Sequence, residues 1–136
     1  MQVTNIPGKL EVLWCADVKA MLDRWSDHAV TIAEFHQASV VEGASFARRN
    51  GAIAWITDSR AARGRFSPEV HAFVAVEVFK ALAAAGVLYF ISIEPPGNAQ
   101  PKSRYPAAAA LHGLRVVKVP DVEAAFAFLK AQGPAI

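Results

Sequence analysis

The sequence predicts a single α/β domain spanning residues 1–136, with a mixed sheet of about five strands and about four helices. Three observations carry this expectation. Apolar residues alternate near the start, at Leu10, Val12 and Trp14, as in a half-buried antiparallel hairpin. Two later stretches, "AIAWIT" and "VLYFISI", are short and continuously apolar, as in parallel strands covered on both faces, and "LRVVKV" is a third such strand that carries two charges. Helix start and stop signals separate the first two of them, which gives a strand, helix, strand unit with a right-handed crossover.

The elements follow in order. One strand passes through Leu10 to Trp14, Cys15-Ala16-Asp17 makes a turn, and a second strand covers Val18 to Trp25. Thr31 and Glu34 have capping-box spacing, with Val30 and Phe35 placed as a hydrophobic staple, so a helix begins there. It should run to about Asn50 and stop at Gly51, which accepts a left-handed backbone. Ile32, Phe35, Ser39, Gly43 and Phe46 share one side of it, and the small residues among them imply close packing on the sheet.

Ala52 to Thr57 is the next strand. Ser67 caps the second helix, Pro68 fits its first turn and Gly86 follows its end, leading into the strand Val87 to Ile93. Four of the 8 prolines fall between Pro95 and Pro106, which predicts a loop there, followed by a short helix in "AAAALHG". Leu114 to Val119 is the last strand, nearer an edge because it carries Arg115 and Lys118. Asp121 caps a final helix to about Gln132.

The composition is 54% hydrophobic and 19% charged, so the chain should fold without help. A formal charge of +2 does not suggest nucleic-acid binding. Cys15 is the only cysteine, which rules out an internal disulfide and an all-cysteine metal site. The start MQVTNIPGKL lacks the charged and apolar parts of a signal peptide, and no apolar run is long enough to span a bilayer. A cytoplasmic location is expected, with no cofactor and no metal, since His28, His36, His71 and His112 show no metal-site spacing. Cys15 has no evident base, and neither paired carboxylates nor a nucleophile with its base stand out. Trp14, Trp25 and Trp55 are read as core or hairpin packing.

"TDSRAARGRFSPEV", Thr57 to Val70, is the most distinctive stretch. Loops leaving the carboxyl ends of parallel strands gather on one edge, where ligands bind. Arg60, Arg63, Arg65 and Ser67 are candidate anion-binding residues there, with the amides of the helix start. Ser67 and Asp58 also have ordinary uses, as a cap and as an acceptor for loop amides. A phosphate on Ser67 would sit favourably beside Arg65. On the second helix Phe73 falls among Glu69, Glu77 and Lys80, so Phe73, Glu69 and Glu77 are a candidate surface for a protein partner or a second copy.

In its opening hairpin, Trp25 before a capped helix, "AIAWITDSR", "SPEVHAFVAVEVFKALAAAGVLYFISI" and "GLRVVKVPDVEAAFAFLK", the chain resembles the STAS-like family. These are relatives of the bacterial anti-sigma-factor antagonists and of the STAS domains of sulfate transporters. The resemblance implies a mixed sheet with helices beside it and a non-enzymatic regulatory or interaction role. The Asp-Ser-Ser-Gly sequence of the kinase-switched antagonists is absent. Ser67 lies at a comparable place, and Asp58-Ser59 reproduces two of its letters at the strand end. The resemblance also admits an apolar or lipid ligand, so the alternative function is a small-ligand binder, for that molecule or for an anion at the arginine loop.

Overall fold

The computed structural model describes residues 1–94 and 105–132. Strands β1 (Gln2–Ile6), β2 (Leu10–Cys15), β3 (Ala20–Trp25), β4 (Ala54–Asp58), β5 (Tyr89–Ile93) and β6 (Arg115–Val119) form one sheet in chain order. The first three are antiparallel, and β3 to β6 are parallel. Helix α1 covers 32–50, α2 covers 68–84, α3 is Tyr105–Leu111 and α4 is Val122–Ala131. The expected α/β class is therefore observed, with six strands instead of about five.

The extra strand is β1. Lys9 N–H donates to the Ile6 carbonyl at 2.9 Å across Pro7-Gly8, and Gly8 has φ +73°, a turn that suits proline followed by glycine. The β2–β3 connection is a single 3₁₀ turn, Ala16–Val18, ending at Lys19 with φ +50°. That turn consumes Val18, so the strand expected from Val18 begins at Ala20.

Both long helices contain a π-helical stretch, His36–Gly43 in α1 and Val74–Val78 in α2. The Ala44 N–H bonds the Ser39 carbonyl and the Phe79 N–H bonds the Val74 carbonyl, five residues back in each case. An i→i+5 turn holds an extra residue, so everything after it is rotated relative to an ideal α-helix. In α2 this puts Val70, Phe73, Val74, Val78, Phe79 and Leu82 in one buried stripe. Phe73 is only 8% exposed, so its expected place on the outer, charged face is incorrect.

The expected close packing of α1 is found. Phe35, Ser39 and Gly43 are buried, while Ile32 is 41% exposed and Phe46 sits against the Trp14 ring at 5.6 Å. A Cβ on Gly43 would stand 2.6 Å from the Trp55 ring and 2.9 Å from the Ala38 carbonyl oxygen. Both caps form as the spacing indicates, with Glu34 N–H to Thr31 Oγ1 at 3.1 Å and Ala124 N–H to Asp121 Oδ1 at 2.7 Å.

The sheet is covered on both faces. One core gathers Val12, Met21, Trp55 and Phe90 with residues of α1, α2 and α3. The other joins Leu22, Ile56, Ile91 and Ile93 to Ala125 and Leu129 of α4. Most of the loop expected between Pro95 and Pro106 lies outside the described residues. Its end is corrected, because Pro106 stands in the first turn of α3, where its missing N–H costs no hydrogen bond.

Candidate functional site

The carboxyl ends of β3 and β4 feed two loops, 26–31 and 59–67, which together form a rim above the sheet. They are fastened to one another by backbone bonds. His28 N–H donates to the Arg63 carbonyl at 2.8 Å, and Arg63 N–H to the Ser26 carbonyl at 3.0 Å. Gly64 follows with φ +71°, a left-handed conformation that glycine adopts without strain, and a Cβ there would come within 3.3 Å of Asp27 Oδ1. A side-chain bond completes the join, between His28 Nε2 and Ser59 Oγ at 3.0 Å.

Aromatic rings hold this join from below. The His28 ring stacks on Phe66 at 4.1 Å, and Trp25 meets His28 at 5.2 Å and Phe66 at 5.0 Å, both edge to face. Phe35 links Trp25 to Phe73. Burial lowers the pKa of His28 from its ordinary 6.5, so the neutral ring predominates at neutral pH. No nucleophile with a base was legible in the sequence, yet Ser59 and His28 have met. The contact ties the loop after β3 to the loop after β4.

The expected anion-binding residues are brought to the same rim but not to one point. Arg60 is committed to Asp58, with Nε to Oδ1 and Nη2 to Oδ2 both at 3.0 Å. That hydrogen-bonded guanidinium is the main reason the Asp58 carboxyl is held below its usual pKa. The Ser67 hydroxyl accepts from Val70 N–H at 3.2 Å as the cap of α2. Arg63 and Arg65 are exposed, and among the described residues no carboxylate pairs with either. Glu69 and Glu77 are exposed on α2, while Phe73 is covered. A shallow cleft of about 370 Å³, lined by Arg24, Trp25, Ser26, Asp58, Arg60 and Ala61, opens beside the loops. Ser67→Ala should cost about 1 kcal/mol in urea unfolding through the lost cap alone.

Asp23 is the residue that the sequence reading passed over. It lies on β3 in the row Val12, Asp23, Thr57, Ser92 and Lys118, on the face covered by α1 and α2. It is 4% exposed, and its Oδ2 accepts from Trp55 Nε1 at 2.9 Å. Its Oδ1 has no partner among the described residues. Burial raises its pKa from 3.8 to about 6, against the pull of the Thr57 hydroxyl and the Trp55 and Trp25 indoles. The signal was present in "AMLDRW", where Asp23 shares the inward parity of Met21 and Trp25.

Among the described residues no group of three His, Cys, Asp or Glu side chains is placed to hold a metal ion, and no helix is long and apolar enough to cross a membrane. No family model, no curated protein and no solved structure matches the chain.

Proposed function

We propose that this chain is a non-enzymatic interaction module of the STAS-like type, which binds a protein partner through the rim formed by 26–31 and 59–67. The observation that carries this reading is the fastening of the two loops, which holds Arg63 and Arg65 outward on a braced support. A surface ordered before binding loses less entropy on association. Two exposed arginines without carboxylate partners among the described residues favour an acidic patch on the partner. Such a role needs no chemistry from the protein.

The test is a pulldown from the source cell using the parent, Arg63→Glu/Arg65→Glu and Arg48→Glu/Arg49→Glu as a charge-matched control on α1. A partner that binds the parent and the control but not the rim variant supports the assignment. Equal capture by all three removes it. For a second copy, the exposed apolar residue of α2 is Val76, 53% exposed, in place of Phe73. Val76→Asp should turn a parent dimer monomeric in sedimentation if α2 is the contact.

Small-anion binding is the second reading, favoured by the cleft that holds Arg24, Ser26 and Arg60. It predicts a phosphate- or sulfate-dependent rise in Tm that is lost in Arg24→Ala.

A further inference from the structure

We propose that the Asp23 carboxyl is a proton-operated control of the rim: protonated, it is compatible with the closed join of loops 26–31 and 59–67, and ionised, it weakens that join without breaking it and raises the frequency of its opening. The proposal concerns the isolated protein and does not depend on a partner.

The geometry supplies the coupling. An ionised carboxylate has two oxygens that both seek donors. Among the described residues the Trp55 indole donates to one Asp23 oxygen, and the other has no donor in hydrogen-bond geometry, with the Thr57 hydroxyl and the Trp25 indole as its polar neighbours. Water can relieve that deficit only where the cover moves. Trp25, two residues along β3 on the same face, separates Asp23 from the rim and touches His28, Phe35 and Phe66. The join above it consists of two backbone bonds and the His28–Ser59 contact. These loop contacts can open without unpairing a strand, whereas α1 is seated by Phe35, Ala38 and Gly43 and the sheet by its ladders.

The sign follows from linkage. In the closed form the carboxyl has its pKa raised from 3.8 to about 6, and in an opened rim it recovers its ordinary value. Its contribution to closure is therefore full below 3.8 and is lost as pH rises through about 6. Asp58 on β4 adds a like charge that strengthens this effect. His28 works in the opposite direction. Its pKa is lowered from 6.5, so its contribution is present above 6.5 and is lost as pH falls through the lower folded value. Asp27 raises the His28 pKa and His71 lowers it, while Glu34 is paired with Lys9 and Arg60 with Asp58. His36 of α1 faces Phe73, and Arg24 lines the cleft beside the rim.

The experiment is amide exchange by NMR on the full chain, corrected for intrinsic rates, comparing the parent with Asp23→Asn, in which His28 still titrates. Between about pH 4 and pH 7 the protection of the His28 and Arg63 amides in the parent, relative to the variant, should fall on the order of 50-fold. A carboxyl-carbon titration of Asp23 in the parent needs no variant and should give a midpoint near 6. The proposal is overturned by an Asp23 midpoint near the ordinary 3.8. It is equally overturned if Asp23→Asn keeps the pH dependence of the parent, or, should that variant not fold, if protection in the parent fails to fall as Asp23 ionises.

Discussion

Trp55→Ala should destabilise the protein by about 3–5 kcal/mol, the range for truncating a buried aromatic in a core that does not collapse around the gap. Trp55 is among the largest fully buried side chains, in the centre of the row Trp14, Met21, Trp55, Phe90 and Val116. Its removal has a second consequence. Asp23 loses the indole hydrogen bond to its Oδ2, so the pKa of that group should rise above about 6. Trp55→Phe separates the two effects, because it keeps most of the volume and removes the indole donor. Urea unfolding at neutral and mildly acidic pH distinguishes them: the Phe variant should recover part of its lost stability in acid, where Asp23 no longer needs a donor. A Phe variant with the same deficit at both pH values would show that the hydrogen bond contributes little.

Gly43→Val should cost about 1–3 kcal/mol or more, for the opposite reason. The added Cβ alone meets the Trp55 ring at 2.6 Å and the Ala38 carbonyl at 2.9 Å, and the second of these is backbone that cannot swing aside. The sheet-facing side of α1 would have to lift. Because one of the two obstacles is the Trp55 ring, the penalty should shrink in a Trp55→Phe background. Thermal unfolding of the four proteins gives the coupling directly, and strict additivity would mean that α1 shifts as a body.

Local signals in the sequence were sufficient for most of the architecture. Thr31 with Glu34, Ser67 with Pro68, and Asp121 each began a helix, because a cap depends on residues within one turn. The apolar runs around Trp55 and Ile91 became parallel strands covered on both faces, while the run around Val117, interrupted by Arg115 and Lys118, became a half-buried parallel strand. What failed was arithmetic that assumed uniform periodicity. Phe73 was placed at 100° per residue, and a π-helical turn altered the count, moving it to the buried side. β1 was missed because "QVTNI" shows no alternation, although Pro7-Gly8 after it is a turn signal.

The rim was legible only in part. Arg60, Arg63, Arg65 and Ser67 do share a loop, but pairing decides which charges remain available, and a sequence does not show that Asp58 turns back onto Arg60. The meeting of His28 with Ser59 joins residues 31 apart, which no local spacing reveals.

The strand order has a consequence for how the domain is built. Each strand from β2 onward docks beside the one made just before it, so no strand has to be inserted between two that already exist. Assembly can then follow synthesis, with every newly emerged strand meeting a finished edge. The growing edge is also the exposed one at each stage. Arg115 and Lys118, which charge the final strand, bring that succession to an end.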